Sequence, residues 1–289
     1  MTTGLNANDN SPYAQQAIAF LTQHGKQTVV AAVLEPVLHC RVVHVTGYDT
    51  DLLGSFTRDI NRLGTQLDAA RRKARKGMEL SGLKIGLASE GSFSTDPYTG
   101  MMPWNREIMV LIDDVAGLEI VGMAQGSTIA GQILSSDLVE IEQFVDKLGF
   151  PQQQLVVRPQ SENDPRYVKG IHTREDLRHH VTQMKLVAEN RKVFVEPDLR
   201  AFACPTRMQH IEKATQDLLQ RMLSSCPSCA APGYSVVQRK AGLPCEVCGT
   251  PSSTYMSEIF KCVRCHHQQV KVREDKQFAD ARFCPSCNP

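Results

Sequence analysis

The chain has 289 residues, 42% of them hydrophobic, and its formal net charge at pH 7 is +1. This length allows one sizeable hydrophobic core with a smaller module beside it. A charge so close to neutral argues against a general attraction to nucleic acid or to a membrane surface. No stretch of the sequence approaches the roughly 20 consecutive apolar residues that a membrane-spanning helix needs.

The first eleven residues are polar and contain no apolar core segment, so they do not predict a secretory signal. We therefore expect a cytoplasmic protein whose cysteine thiols stay reduced.

The first half of the chain predicts alternating strands and helices. The clearest helix lies at residues 65–81, where apolar residues recur at helical spacing and Gly82 follows the last turn. Acidic and small residues at 113–117 predict a hairpin turn between two apolar runs. In chain order we predict a strand at 16–21, a helix at 27–35 ended by Pro36, a strand at 41–45, the helix at 65–81, a short strand at 84–88, and hairpin strands at 107–112 and 118–123.

The second half predicts helices at 136–148, 174–189 and 206–223, with strands at 155–158 and 193–196. Alternation of strands and helices predicts an α/β domain with a mixed sheet over residues 12–200. A helical connector at 201–225 and a small module at 226–289 complete the predicted organisation.

The last quarter of the chain holds eight of the ten cysteines, all in Cys-x-x-Cys pairs. Two such pairs supply the four thiolates of a tetrahedral zinc site, so four pairs predict two structural Zn²⁺ ions. Disulfides and iron–sulfur clusters are the alternatives. The pairs are Cys226/Cys229, Cys245/Cys248, Cys262/Cys265 and Cys284/Cys287.

The order in which these pairs combine stays open. In one arrangement the second pair combines with the third to make a compact ribbon, and the first pair combines with the fourth around it. In the alternative, the first pair combines with the second and the third with the fourth. From residue 226 onwards the chain has four Lys and four Arg against three Glu and two Asp. Two zinc ions and eight thiolates bring the module close to neutral, which favours protein docking over nucleic-acid binding.

A turn between the first predicted strand and helix is a candidate phosphate cradle. It reads Thr22-Gln-His-Gly-Lys26, so His24 and Gly25 lie at the helix N-terminus, where backbone N–H groups attract anions. Thr22 adds a hydroxyl group. Lys26 adds a positive charge, and we expect its side chain to be exposed.

A second candidate group combines Lys73, on the helix at 65–81, with Glu90, just after the strand at 84–88. A carboxylate at the end of a strand, flanked by small residues, is placed to hold Mg²⁺. The alternative is that the cations of this helix form a solvated face and that Glu90 is a turn residue.

The order of these motifs resembles the inosine/xanthosine triphosphate pyrophosphatases from about residue 18 to 131. This resemblance implies a nucleotide-pyrophosphatase-like fold in which Thr22 and Lys26 hold phosphates and Lys73 reaches the phosphate chain. It also implies that Glu90 binds Mg²⁺ or Mn²⁺ and orients the attacking water, and that Ser127 lies near the base or phosphates. The chain has no Ser-His-Arg motif, with which that family recognises the purine.

Most of the chain also resembles an uncharacterised bacterial family with a C-terminal pair of zinc ribbons. The resemblance lies in His24-Gly-Lys-Gln27, in Asp49-Thr-Asp-Leu-Leu-Gly-Ser-Phe-Thr57 and in Ala88-Ser-Glu-Gly-Ser-Phe93. Asp49 or Asp51, in the second motif, is a candidate second metal ligand, and a solvated loop is the alternative.

These observations predict a metal-dependent hydrolase of a phosphoanhydride bond in a nucleotide or another pyrophosphate small molecule. The first alternative is an adaptor that senses a nucleotide and docks a protein through its zinc ribbons. The second is a nucleic-acid-binding ribbon protein. A homodimer is a candidate assembly, and no membrane partner is expected.

Overall fold

A computed structural model describes residues 11–48 and 64–289 of the chain. Asp49, Asp51 and the motif that ends at Thr57 lie outside the described residues. Contacts divide the described chain into two units. Unit 1 comprises residues 11–48, 64–112 and 121–217, and unit 2 comprises residues 113–120 and 218–289.

The first sheet has five strands in the order β2-β1-β3-β4-β5. β1 pairs in parallel with both β2 and β3, and a tight turn joins β4 to β5, so the sheet is mixed as predicted. Its elements are β1 Ala17–Leu21, α1 Lys26–Leu38, β2 Arg41–Val45, α2 Gln66–Ser81, β3 Ile85–Thr95, β4 Pro103–Asp113 and β5 Leu118–Ser127.

Helix α2 agrees with the prediction because both of its ends carry sequence signals. The Thr65 hydroxyl accepts a hydrogen bond from the Asp68 amide, and the Asp68 carboxylate accepts one from the Thr65 amide. At the other end, Gly82 has a φ of 71°, which favours glycine. The apolar face of α2, including Ala74 and Met78, packs against β3 and β4.

Helix α1 corrects the expectation that Pro36 ends it. The helix continues to Leu38, and the His39 amide donates to the Glu35 carbonyl at 3.0 Å. Leu38 is fully buried, so core packing favours one further turn despite the missing proline N–H.

The second sheet of unit 1 has four strands in the order β6-β9-β7-β8, all antiparallel. Helices α3 and α4 supply Ile141, Val145 and Leu177 to its core. The sequence predicts the two helices that pack on this sheet and two of its four strands, but not the short strands β6 and β8. The elements are β6 Ile133–Ser135, α3 Leu138–Lys147, β7 Leu155–Pro159, β8 Val168–Ile171, α4 Arg174–Val187 and β9 Val193–Pro197.

Helix α5, Pro205–Leu223, covers the helix predicted at 206–223. The cysteine-rich region then forms a three-stranded antiparallel sheet in the order β10-β11-β12. These strands are β10 Ser235–Ala241, β11 Tyr255–Lys261 and β12 Gln268–Val272.

Candidate active site and metal centres

Strand β3 positions Ser89 and Glu90, and it is longer than the strand predicted at 84–88. The strand does not end at Ala88 but continues through Glu90 to Thr95. Successive side chains of a strand point to opposite faces of the sheet. Ser89 and Glu90 therefore lie on opposite faces, and Glu90 is a buried mid-strand residue rather than the end of a strand.

On the face that carries α2, Glu90 meets Lys73. The Lys73 ammonium lies 2.6 Å from Glu90 Oε2, and the two side chains are 12% and 3% exposed. The Gln66 side-chain amide donates to the Glu90 carbonyl at 2.7 Å. The structure thus brings the two predicted catalytic residues together as a buried ion pair.

On the opposite face, Lys26 meets Ser89. The Lys26 ammonium donates to Ser89 Oγ at 3.0 Å, and both side chains are buried. The expectation of an exposed Lys26 is therefore wrong, because this first residue of α1 points into the fold. Burial, together with the like charge of Arg207, lowers the pKa of Lys26 to about 7.

The turn before α1 has some of the features of the predicted phosphate cradle. His24 and Gly25 both have positive φ, and Gly25 offers no side-chain cap to the helix N-terminus. The His24 ring stacks on Phe202 with centroids 5.4 Å apart. The buried Thr22 hydroxyl, however, donates to the Gln23 carbonyl at 2.9 Å, so its proton is already engaged.

Ser127, the last residue of β5, is exposed. Among the described residues no hydrogen bond joins it to Lys26, Lys73 or Glu90. Its expected place near a base or phosphate stays a prediction.

A buried carboxylate that the sequence analysis missed lies on the face of the sheet that carries Ser89. Glu107, on β4, is fully buried, and its Oε1 accepts hydrogen bonds from Arg207 Nε at 2.7 Å and from Asn105 Nδ2 at 3.1 Å. Its Oε2 is also buried and has no hydrogen-bond partner in the part of the chain that the structure describes. A buried polar oxygen without a partner indicates a place for a ligand atom, an ion or a water molecule.

Arg207 comes from α5, and its Nη1 also donates to the Leu199 carbonyl at 2.7 Å. Gly91 makes room for this pair. A Cβ atom at Gly91 would lie 2.2 Å from Glu107 Oε1 and 2.7 Å from Arg207 Nη2, so a larger residue would displace both groups. The close approach of β3 to the ion pair therefore requires glycine.

Asn105 connects the carboxylate to His210 of α5. Its amide nitrogen faces two acceptors, the Ser92 carbonyl at 3.2 Å and Glu107 Oε1, so its oxygen must face His210 Nδ1, 2.8 Å away. His210 Nδ1 consequently carries a proton. Burial lowers the pKa of His210, and the charge of Lys213 adds to this.

We call Lys26, Ser89, Asn105, Glu107, Arg207 and His210 the α5-face cluster. Two patterns in the sequence place parts of it, although neither shows that the parts meet. Asn105 and Glu107 alternate before an apolar strand, which places them on one face, and Arg207 and His210 share a helix face at i, i+3. The cluster has two basic side chains, Lys26 and Arg207, beside one carboxylate, so it suits an anion.

The eight paired cysteines form two clusters of four, each with its sulfur atoms within 4.8 Å of one another. The closest contacts between pairs are 3.5–3.9 Å. A tetrahedral site with Zn–S bonds of about 2.3 Å separates its sulfurs by about 3.8 Å. All eight cysteines are free thiols, not disulfides. Both clusters could therefore hold a metal ion such as zinc.

The combination of the pairs corrects both expected orders. The first pair joins the third, and the second joins the fourth. The seven residues of β10 carry the chain about 23 Å from the first pair to the second, and antiparallel β11 returns it to the third. Alternate pairs consequently meet. One cluster is Cys226, Cys229, Cys262 and Cys265, and the other is Cys245, Cys248, Cys284 and Cys287.

A family model described as Domain of unknown function (DUF6671) matches residues 73–289, well over half of the chain. The chain belongs to this family. The DUF6671 match includes both cysteine clusters, Lys73, and every member of the α5-face cluster except Lys26.

No curated protein and no solved structure matches the chain. The resemblance to the pyrophosphatases therefore stays a prediction, as does every catalytic role inferred from it. No helix within the described ranges is long and apolar enough to cross a membrane.

Proposed function

We propose that unit 1 of this DUF6671 protein hydrolyses a phosphoanhydride bond in a nucleotide or nucleotide-like small molecule, at the α5-face cluster. One observation carries the proposal. Arg207 is buried against the single carboxylate of the cluster, Glu107, one oxygen of which has no partner among the described residues, and Lys26 is buried against Ser89 on the same face.

The charge of the cluster favours an anionic ligand. Burying a charged group costs free energy unless an opposite charge or hydrogen bonds compensate it. Arg207 has Glu107 as its ion-pair partner at 2.7 Å, whereas Lys26 has the neutral Ser89. Burial above all, and then the like charge of Arg207, lower the pKa of Lys26, and its charged form would gain from added negative charge. A phosphate group would supply it, with the N-terminal amides of α1 as further donors.

Glu107 Oε2 is the candidate ligand for Mg²⁺ or Mn²⁺ on this face. Magnesium in phosphate-handling proteins commonly binds one or two carboxylates together with phosphate oxygens of the substrate. Two neighbouring basic groups disfavour a resident divalent cation, so we expect the ion to arrive with the phosphates. A metal ion held there would supply stabilisation of the negative charge on the transferred phosphoryl group, and Arg207 would add its own positive charge.

The α2-face pair of Lys73 and Glu90 is the second candidate site. Its separation of 2.6 Å lets the two charges compensate each other. A carboxylate so engaged is a weaker candidate metal ligand than Glu107 Oε2. Isosteric substitutions at the two glutamates distinguish the faces.

We also propose that each cysteine cluster binds one structural Zn²⁺ ion. Four thiolates with no open ligand position are typical of zinc sites that stabilise a fold rather than catalyse a reaction. The chemistry is therefore assigned to unit 1.

The test is release of phosphate or pyrophosphate from nucleoside triphosphates and inorganic polyphosphates, with Mg²⁺, with Mn²⁺ and with chelator. We expect turnover by the wild type, a loss of about 10²-fold or more in Glu107→Gln, and retained turnover in Glu90→Gln. Thermal unfolding of each variant corrects for lost folded protein. Phosphate binding without turnover by the wild type would make the protein a nucleotide sensor instead.

A further inference from the structure

Lys26 and Ser89 have the geometry of a base and a nucleophile. Lys26 Nζ lies 3.0 Å from Ser89 Oγ, and the two residues are 63 positions apart in the chain, so the fold builds this contact. A serine hydroxyl is a weak nucleophile until an adjacent base takes its proton. A lysine can be that base only in its neutral form, which is scarce in water at pH 7.

The surroundings of Lys26 make the neutral form available. Burial and the charges of Arg207, on α5, and Lys73, on α2, lower the pKa of Lys26, while Glu107, on β4, and Glu90, on β3, act in the opposite direction. The resulting pKa of about 7 leaves about half of the Lys26 side chains neutral at pH 7. A general base works best when its pKa lies near the operating pH.

We propose that Ser89 is a nucleophile and that Lys26 is the base that takes its proton. The identity of the attacked bond rests on the proposed function above. Ser92, three positions further along the same strand, lies on the α2 face and donates to Gln66, so it provides a matched control.

The reaction balances without an oxidant, a reductant or a second substrate other than water. Ser89 Oγ transfers its proton to Lys26 Nζ and forms a bond to phosphorus. The bond from phosphorus to the bridging oxygen breaks, and the departing phosphate keeps the electron pair. Lys26 passes the proton from Ser89 to the departing phosphate and becomes neutral again. Water then attacks the phosphoseryl group and gives one proton to Lys26, which passes it to Ser89 Oγ as that oxygen leaves. The net reaction is hydrolysis of one phosphoanhydride.

Lys26 becomes a cation at the step that places negative charge on the phosphoryl oxygens. Glu107 holds Arg207 in place by a hydrogen-bonded ion pair. The guanidinium charge of Arg207 therefore lies on the same face of the sheet as Ser89. Charge stabilisation of this kind is the largest part of most enzymatic phosphoryl transfers.

An alkyl fluorophosphonate tests the nucleophile without knowledge of the substrate. With this probe, Ser89 Oγ forms a bond to phosphorus, fluoride leaves with the electron pair of the P–F bond, and Lys26 takes the hydroxyl proton. Intact-mass measurement and peptide mapping of the full chain should show one adduct on Ser89. Ser92→Ala should be labelled at the wild-type rate, and Ser89→Ala should not be labelled at that peptide.

Two substitutions test the base. Lys26→Met removes the amine, and Lys26→Arg keeps the positive charge in a group that does not lose its proton. Both should slow labelling by about 10²-fold or more, a typical contribution of a general base. In the wild type the labelling rate should rise with pH through about 7 and then level off. Circular dichroism confirms the folded fraction of each variant.

The proposal is overturned if the folded wild type gives no Ser89 adduct at pH 9, or if both Lys26 variants are labelled at the wild-type rate. Phosphoanhydride turnover that survives in Ser89→Ala also overturns it, while leaving the proposed hydrolase function intact. An adduct on Ser89 without turnover of any phosphoanhydride supports the nucleophile and contradicts the proposed hydrolase function.

Discussion

Ser89 and Glu90 are consecutive residues of β3, yet their side chains serve opposite faces of one sheet. Ser89 accepts a hydrogen bond from Lys26 of α1 at 3.0 Å, and Glu90 pairs with Lys73 of α2 at 2.6 Å. The resemblance implied one site containing Lys26, Lys73 and Glu90. The strand divides those residues between two faces, and the candidate site gains Glu107 and Arg207 instead.

Substitution of Lys26 should change how stability depends on pH. The pKa of Lys26 is about 7 in the folded chain and near 10.5 in the unfolded chain, so the unfolded state binds more protons between these values. The free energy of unfolding therefore rises with pH from about 7 to about 10.5. We expect the wild type to gain stability relative to Lys26→Met across this window in denaturant titrations.

The control for this experiment is Lys76→Met on α2, where the cation is more exposed and pairs with Glu79. The stability difference from the wild type should change more with pH for Lys26→Met than for this control. An equal change for both variants would contradict the buried setting of Lys26.

The α2-face pair should behave as a structural ion pair. Loss of one partner leaves the other charge buried, which typically costs about 3–5 kcal/mol. We therefore expect Lys73→Met to lower the free energy of unfolding by more than the double variant Lys73→Met/Glu90→Met does. Urea unfolding of the two single variants and the double variant measures the coupling, and additive effects would contradict a buried pair.

His210 should stay neutral to a lower pH than an exposed histidine does, with its proton on Nδ1. Burial lowers its pKa, and Asn105 Oδ1 accepts the Nδ1 hydrogen bond at 2.8 Å. Two-dimensional ¹⁵N–¹H correlation spectra of the imidazole groups should show this tautomer, and it should be disturbed in Asn105→Ala. A His210 that titrates at or above 6.5 would contradict the structure.

Metal analysis should show about two zinc equivalents per chain, and paired substitutions should reveal the alternating arrangement. Cys226→Ser/Cys262→Ser removes two ligands of one cluster and should leave about one equivalent. Cys226→Ser/Cys245→Ser removes one ligand from each cluster and should lower both occupancies. Nested pairing would make both double variants damage both sites. Sequential pairing would reverse the two results.

Several features of the fold could be predicted from the sequence because local residues determine them. The capping residues Thr65 and Asp68 and the terminal Gly82 define α2. The Cys-x-x-Cys spacing predicts the metal clusters but cannot give their order, because β10 and β11 decide which pairs meet.

The α5-face cluster could not be assembled from local patterns. Glu107 and Arg207 are 100 positions apart, and the sequence offers no sign of which residues meet over that separation. The segment from Ser89 to Ser92 has the composition of a turn, so the predicted strand stops at Ala88. Tertiary contacts of Ser89 and Glu90 with α1 and α2 keep it in the strand.

Calorimetric titration with tripolyphosphate tests most directly whether the α5 face binds phosphate. Two double variants, each without an unpaired buried charge, form a matched set: Glu107→Met/Arg207→Met on the α5 face and Lys73→Met/Glu90→Met on the α2 face. We predict saturable binding by the wild type and the α2-face variant, and a loss of at least about tenfold in affinity in the α5-face variant. Undiminished binding by a folded α5-face variant, or no binding by the wild type, would contradict the account.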